Sequence, residues 1–351
     1  MYRGIIHQYR NYLPVQEDSI VSLNEGNTPL LEAPKIAHEF CPGMKVFLKL
    51  EGLNPTGSFK DRGMTYAVSK AIEAGSKAII CASTGNTSAA AAAYAGRAGI
   101  EAAVLIPEGK IALGKLSQAM LHGAKVFQVR GNFDDALKMV KEIAQTGKVT
   151  LVNSVNPYRL VGQKSAAYEV VEALGDAPVY HALPVGNAGN ISAYWAGYKD
   201  YHQAGTSTRL PKMLGFQAAG AAPLVLGHII EKPETLATAI RIGNPANKEA
   251  ALKALSESKG LIDSVTDDEI MQAYQWVAQS EGYFCEPASA ASIAGALKLA
   301  KSNFFKSGDV LVCTLTGHGL KDPDNAIRVS PKPIVIDANT EELMNLLFAR
   351  N

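Results

Sequence analysis

Short apolar runs alternate with longer segments of helical periodicity along most of the chain. Apolar runs of about four to eight residues, separated by helical patterns of about 10–15 residues, predict βαβ units and a parallel sheet. Connections of this kind are right-handed, so helices should cover both faces of each sheet. The runs that we assign to strands are 45–51, 77–83, 101–107, 125–130, 149–153, 178–185, 212–218 and 309–317.

The alternation breaks near residue 157 and then starts again. At roughly 150 residues per domain, a chain of 351 residues should form about two domains. We therefore predict two three-layer α/β domains with parallel sheets. The polar stretch 230–265 carries turn signals such as EKP and GNP and predicts a loop-rich excursion. In sheets of this type, ligands bind at the carboxyl ends of the strands.

Composition and charge indicate an ordinary globular protein. Apolar residues make up 47% of the chain and charged residues 19%, which argues against disorder. The 34 basic and 33 acidic residues leave a net charge of +1, and no block of like charge is present. We therefore expect no nucleic-acid partner.

The four cysteines and seven histidines show no spacing typical of a metal site. The sequence therefore predicts no bound metal, and the cysteines are expected to be buried thiols in a reducing compartment. The N-terminal segment 1–16 lacks the apolar run of a signal peptide. The small-residue tract 89–106 is interrupted by Arg97 and Glu101, so it should not span a membrane. We expect a cytoplasmic protein without membrane association.

Three predicted turns share one design, in which a strand leads through a small-residue loop into a helix. These loops lie at 55–63, 83–90 and 186–192, and a fourth glycine loop follows the last strand at 316–319. The N-terminus of a helix offers free N–H groups and a positive dipole, both of which bind anions. Together the loops indicate a small ligand with several anionic groups.

The first of these loops contains a candidate catalytic lysine. Ser58 suits the N-cap of the following helix, and Asp61 should complete a capping box with it. Lys60 then lies in the first turn, where the helix dipole and partial desolvation would lower the pKa of its amine. A neutral amine is what bonding to a carbonyl group requires. A solvated surface lysine fits the same local pattern, so both interpretations stay open at this point.

Five segments resemble the motifs of the tryptophan synthase β-like family of pyridoxal-phosphate enzymes, and within it those of the threonine synthases. They occur in the order of the family and cover nearly the whole chain. SFKDRG and TGHGLKD are the most specific parts of the match. The segments are EGNTPLL (25–31), LEGLNPTGSFKDRG (50–63), STGNTSAAAAAYA (83–95), GNAGN (186–190) and TLTGHGLKDP (314–323).

The resemblance implies a fold, a domain arrangement and an activity. The expected fold is two α/β domains, a smaller one at 53–156 and a larger cofactor-binding one formed by 1–52 and 157–351. The expected enzyme is a carbon–oxygen lyase acting on phosphates, in threonine biosynthesis. It would use pyridoxal 5′-phosphate (PLP) to convert O-phospho-L-homoserine and water to L-threonine and phosphate. Members of the family are usually homodimers.

The resemblance also implies roles for individual residues. Lys60 would bond covalently to the cofactor and move protons at Cα, Cβ and Cγ of the substrate. Asn86 would bind the 3′-oxygen of the cofactor ring, Thr316 would face the ring nitrogen, and the 186–190 loop would hold the cofactor phosphate. The implied cofactor-binding residues are Lys60, Asn86, Gly186, Asn187, Ala188, Gly189, Asn190 and Thr316.

The substrate is expected to bind through two further sets of residues. Short polar side chains in the loop after the second predicted strand would receive the substrate carboxylate: Ser83, Thr84 and Thr87. A second set, at the ends of two other strands, would hold the substrate phosphate: Lys110, Asn153, Ser154 and Arg159. A point charge, a guanidinium fork and two short donors suit a phosphate dianion.

Two other functions remain as alternatives. A threonine or serine dehydratase of the same fold usually has a glycine-richer phosphate loop and a serine or cysteine near the ring nitrogen, whereas this chain has GNAGN and Thr316. A two-lobed protein that binds a small anion would need no reactive lysine. An ATPase is disfavoured because the segment 109–116 has Leu116 where a P-loop needs serine or threonine.

Overall fold

The computed structural model describes residues 1–109, 113–131, 133–147 and 149–348. It contains two β-sheets with helices on both faces, which confirms the predicted α/β class. The strands are β1 (Leu30–Glu32), β2 (Lys45–Leu50), β3 (Ala78–Ala82), β4 (Glu101–Pro107), β5 (Lys125–Val129), β6 (Thr150–Leu151), β7 (Tyr180–Pro184), β8 (Lys212–Ala218), β9 (Leu261–Val265) and β10 (Val310–Leu315).

The helices follow the strands in the predicted alternation. Short 3₁₀ turns precede or follow several of them, including one at Glu51–Leu53 directly after β2. The α-helices of the described residues are α1 (Ile5–Gln8), α2 (Pro34–Phe40), α3 (Lys60–Glu73), α4 (Asn86–Ala98), α5 (Leu113–Leu121), α6 (Phe133–Gln145), α7 (Pro157–Gln163), α8 (Ser165–Leu174), α9 (Gly189–Gln203), α10 (Pro223–Leu226), α11 (Lys248–Glu257), α12 (Asp267–Glu281), α13 (Pro287–Lys301), α14 (Pro323–Val329) and α15 (Thr340–Phe348). No helix in this part of the chain is long and apolar enough to cross a bilayer.

The larger sheet has the strand order β1-β2-β10-β7-β8-β9. Strands β2, β10, β7, β8 and β9 are parallel, but β1 pairs antiparallel with β2. The expectation of a wholly parallel sheet is therefore wrong at this edge. With only three residues, β1 shows too little of the two-residue period for its sequence to predict a strand.

The expectation of a loop-rich excursion at 230–265 is also wrong in part. This stretch contains α11 and the edge strand β9. Four of the five side chains of β9 are only half-buried, and two are Asp263 and Ser264. An edge strand pairs through its backbone, so it needs no apolar run.

Alternating side chains of β10 enter two different apolar layers. Leu311, Cys313 and Leu315 belong to a core with α2, α12 and α13, whereas Val312 belongs to a core with α1, α8, α9 and α11. Successive side chains of a strand point to opposite faces, so the sheet is the middle of three layers.

The smaller sheet is parallel and has the order β5-β4-β3-β6. Ile79 and Cys81 of β3 pack with α3, α4 and α5, and Ile80 and Ala82 pack with α6. The two sheets lie in separate stretches of sequence, and the boundaries after residues 52 and 156 stay a prediction. The segments that carry the predicted site residues follow six strands, β2, β3, β4, β6, β7 and β10.

Candidate active site

Lys60 is the first residue of α3, and the loop before it is attached to the loop after β10. Ser58 and Gly317 form an antiparallel bridge, and the Phe59 N–H donates to the Thr316 carbonyl at 3.0 Å. Asp61, the next residue of α3, is fully buried. These contacts fix the start of α3 relative to the larger sheet.

The predicted capping box is wrong. The N-cap of α3 is Phe59, which has no side-chain acceptor. The Asp61 carboxylate does not reach Ser58 but accepts from the N–H and hydroxyl of Thr56, at 3.0 and 2.9 Å. The Ser58 hydroxyl instead accepts from the Lys60 N–H at 3.4 Å, so the two side chains do not form the reciprocal pair of a capping box.

The Lys60 amine lies in a site that disfavours its charge. Nζ is 3.9 Å from the centre of the Phe59 ring, which favours the cation weakly, but no described residue accepts a hydrogen bond from it. Burial and the charge of Arg159 lower the pKa of Lys60 to about 7, although Glu286 acts in the opposite direction. A substantial fraction of the amine is therefore neutral at neutral pH. Loss of solvation, one of the two causes expected from the sequence, is the main one.

The 186–190 loop joins β7 to α9 and presents a row of backbone donors. None of the N–H groups of residues 187–191 donates to another described group. Ala188 has a φ of 64°, in the left-handed region, which turns the chain into α9. The Nδ2 atom of Asn190 is also buried without a partner. Orphan donors at the start of a 15-residue helix have the chemistry to bind a phosphate dianion.

Glu286 connects the two sheets. Its carboxylate accepts from Asn86 Nδ2 at 3.0 Å and from Thr316 Oγ1 at 3.2 Å, so one side chain holds both residues assigned to the cofactor ring. Ser289 Oγ lies 3.0 Å from the same Thr316 hydroxyl. Burial raises the pKa of Glu286. A Cβ at Gly317 would lie 2.5 Å from Glu286 Cδ, so glycine is needed where this carboxylate passes.

The loop after β3 places Ser83, Thr84 and Thr87 in half-buried positions at the start of α4. The Ser83 hydroxyl accepts from the Gly85 N–H at 3.3 Å. No side chain of the described residues caps α4, so its first N–H groups are free for a ligand.

The residues predicted for the substrate phosphate have different surroundings. Arg159 is buried; its Nη1 donates to the Val152 carbonyl at 3.1 Å and its Nε has no partner among the described residues. Burial lowers the pKa of Arg159 to about 10, so it keeps its charge. The Asn153 carboxamide, by contrast, hydrogen-bonds the backbone of Ala82. Lys110 lies outside the described residues.

Asn247 ties the 153–159 segment to the cofactor loop. Its Nδ2 lies 3.3 Å from the Ser154 carbonyl and 3.2 Å from the Asn187 carbonyl, and donates to both. The sequence analysis missed both Asn247 and Glu286. Glu286 had a signal, a carboxylate just before Pro287 and a small-residue helix, but Asn247 lies in a polar stretch without a distinguishing pattern.

These features fit PLP. The cofactor needs a lysine that is neutral at the working pH, a cradle of donors for its phosphate and polar side chains at the ring edges. The lysine is Lys60, and the donors are the N–H groups of residues 187–191. The polar side chains are those of Asn86 and Thr316.

Comparison with known proteins identifies the class. A family model described as pyridoxal-phosphate dependent enzyme matches residues 21–317. The chain therefore belongs to the pyridoxal-phosphate dependent enzymes, and its cofactor is PLP. Among them it belongs with the threonine synthases. It is 60% identical over 330 residues to the threonine synthase of Synechocystis, covering 94% of this chain and 86% of that one. It is 58% identical over 346 residues to the threonine synthase of Mycobacterium leprae, covering 97% and 96%.

Solved structures support the fold. Maize serine racemase superposes with a TM-score of 0.75 at 19% identity, over 99% of this chain and 98% of that one. At this identity the likeness concerns the fold alone. The family and the fold predicted from the motifs are confirmed.

Proposed function

We propose that this chain is a threonine synthase, which converts O-phospho-L-homoserine and water to L-threonine and inorganic phosphate. In this β,γ-replacement the phosphate leaves from Cγ and the hydroxyl of water adds at Cβ. High identity to threonine synthases over nearly the full length supports the proposal. The finer assignments below concern this chain's own residues.

The observation that carries the proposal is a neutral lysine with two separate anion-binding groups. The free N–H groups at 187–191 suit the cofactor phosphate. Arg159, with an unpaired buried Nε and close enough to lower the pKa of Lys60, suits a second phosphate. A dehydratase acting on threonine or serine would have no such second phosphate to bind.

Each residue then has a defined task. When bound, PLP supplies an electron sink for negative charge on the substrate carbons. Lys60 Nζ would hold the cofactor covalently until the substrate amine replaces it; the freed amine, with a pKa near neutrality, could then take the proton from substrate Cα and move protons at Cβ and Cγ. Asn86 and Thr316 would supply polar contacts to the cofactor ring. The loop at 83–87 receives the substrate carboxylate at the start of α4.

The direct test is to incubate the PLP-loaded protein with O-phospho-L-homoserine and, separately, with L-threonine. Equal amounts of phosphate and threonine from the first substrate are expected. Formation of 2-oxobutyrate from threonine, with O-phosphohomoserine inert, would make the enzyme a dehydratase. Lys60→Ala should stay folded, because the amine makes no hydrogen bond, and should lose both turnover and the absorbance of the lysine-bound cofactor. Lys70→Ala, in the same helix, should keep both.

We also propose that the enzyme is a cytoplasmic homodimer. The free cysteines suit a reducing compartment. The C-terminal helix α15 exposes large apolar side chains, among them Leu343, Leu347 and Phe348, which a second copy of the chain would cover. Light scattering should give a dimer mass for the full chain and a lower mass after deletion of 331–351. A monomeric full chain would refute this part.

A further inference from the structure

Asn153 makes two hydrogen bonds to one residue of the neighbouring strand. Its Oδ1 accepts from the Ala82 N–H at 2.9 Å, and its Nδ2 donates to the Ala82 carbonyl at 2.9 Å. The side chain is buried. In a sheet, a neighbouring strand bonds the backbone N–H and carbonyl of such a residue, and here the carboxamide bonds both groups instead.

This pairing extends the edge of the smaller sheet beyond the end of β6. The β3–β6 ladder ends with Ile80 opposite Leu151, and the Val152 N–H still donates to the Ile80 carbonyl at 2.9 Å. The next backbone groups of β3 that face β6 belong to Ala82, and the Asn153 side chain bonds them in place of a β6 backbone. Ala82 pairs with Leu105 of β4 on its other side, so this last residue of β3 is held on both sides although β6 has ended.

Ala82 is directly followed by the loop that we assign to the substrate carboxylate. Within that loop Ser83 accepts from the Gly85 N–H, and Ser88 donates to the Gly85 carbonyl. These are contacts of the loop with itself and with α4. The loop has a second anchor at its far end, where Asn86 Nδ2 donates to Glu286, so Ala82 sets its position where it leaves the sheet.

The neighbours of Asn153 are better placed to bind a phosphate. Arg159 has an unpaired buried Nε, and the Ser154 hydroxyl has no hydrogen-bond partner within the described ranges. Asn153 has already used its oxygen and one of its amide hydrogens on Ala82. Arg159 also bonds the backbone, through Nη1 to the Val152 carbonyl, but its Nε and the Ser154 hydroxyl are still available for a ligand.

We propose that Asn153 is a positioning residue for the carboxylate subsite, acting through Ala82 and the loop at 83–87 rather than by touching the substrate phosphate. The proposal rests on the proposed function for the assignment of that loop. It predicts that loss of the carboxamide weakens binding of every amino-acid ligand, whether or not the ligand carries a phosphate.

The test uses the PLP-loaded enzyme and two probes with different groups. L-threonine carries the carboxylate but no phosphate, and inorganic phosphate carries no carboxylate. Asn153→Asp keeps the shape but loses the donor to the Ala82 carbonyl, and Asn153→Ala loses both bonds. Ser154→Ala is the matched control, since it removes a hydroxyl one residue away and leaves the pairing with Ala82 intact.

Both Asn153 variants should weaken L-threonine binding about tenfold, the effect of losing one or two hydrogen bonds. The negative charge of Asn153→Asp should also weaken phosphate binding, whereas Asn153→Ala should leave the affinity for phosphate within about twofold. Ser154→Ala should do the reverse. Binding of threonine is followed by the absorbance of the bound cofactor, and binding of phosphate by its inhibition of turnover. The KM for O-phosphohomoserine should rise in all three variants, so it is the two probes that separate the roles.

Hydrogen exchange provides a readout that does not depend on catalysis. In the Asn153 variants the amides of residues 82–88 should exchange faster, while residues 78–81 of β3, β4 and the rest of the sheet keep the wild-type rates. Wild-type exchange at 82–88, or faster exchange across the whole sheet, would overturn the proposal. So would weaker phosphate binding with unchanged threonine binding. If the wild-type enzyme released no phosphate from O-phosphohomoserine, the proposed function would fail, and the exchange result would still decide whether Asn153 holds the loop.

Discussion

A buried cluster of four charges next to the active site provides the sharpest stability prediction. Arg62 of α3 lies between the carboxylates of Glu51 and Glu169, with nitrogen–oxygen distances of 2.6–2.8 Å, and Lys49 Nζ lies 2.6 Å from Glu169. All four side chains are buried. The cluster is neutral as a whole, so removing one carboxylate charge leaves a net positive charge without solvent.

Glu169→Gln removes that charge with little change in shape. Loss of one partner from a buried ion cluster costs about 3–5 kcal/mol. Unfolding entropy of about 2.1 cal/mol/K per residue gives a chain of 351 residues about 0.7 kcal/mol/K. The thermal midpoint should therefore fall by about 4–7 °C. Adding Lys49→Met removes a positive charge as well and should recover part of this loss.

The assay is thermal unfolding followed by circular dichroism at neutral pH, with Glu101→Gln as control. Glu101 pairs with Lys125 at 2.8 Å, but the two side chains are 61% and 63% exposed. A pair in water contributes at most about 1 kcal/mol, so the midpoint should change by less than about 1.5 °C. Equal shifts for Glu169→Gln and Glu101→Gln would refute the reasoning, because burial would then add nothing to the pair.

The same cluster predicts a pH dependence. Burial alone would raise the pKa of Glu169, but the charges of Arg62 and Lys49 hold it well below the usual 4.5. A carboxyl whose pKa is lower in the folded state stabilises the protein above its unfolded pKa, and that stability is lost as the pH falls below it. Wild type should therefore lose thermal stability below about pH 4.5 more steeply than Glu169→Gln.

Two further predictions concern the lysine and the core. Covalent attachment of PLP to the apoenzyme, followed by absorbance, should become faster with rising pH, with a midpoint near the Lys60 pKa of about 7. Arg159→Met should move this midpoint to higher pH because it removes a nearby positive charge. An unchanged midpoint would contradict this. Gly295→Ala should lower the thermal midpoint, since the added Cβ would lie 2.0 Å from the Phe216 ring. At Gly96 the nearest atom to an added Cβ is 3.4 Å away, so Gly96→Ala should leave the midpoint unchanged or raise it. Equal effects of the two substitutions would argue against the clash.

The long, strongly patterned elements were predictable from the sequence because their signals are local. The apolar run at 178–185 and the loop after it became β7 and the start of α9. Lys60 could be placed in the first turn of a helix for the same reason. The contacts at the start of this helix could not be predicted, because Ser58 pairs with Gly317, which is remote in sequence. Edge strands such as β1 and β9 have too few buried side chains to give a pattern.

The residues that connect the two sheets at the site could not be predicted from the sequence. Glu286 is 200 residues from Asn86 in sequence, and only the packing of α13 behind β10 brings the two together. Asn153 shows the converse limit. Its type and position suited a phosphate ligand, but hydrogen-bonding capacity is finite, and half of this carboxamide's four hydrogen-bonding sites are used on Ala82. The type of a side chain determines which groups it is able to bind, but its neighbours in the structure determine which of its atoms are still free to do so. For this reason we expect substitution of Asn153 to affect binding of the substrate carboxylate rather than of the substrate phosphate.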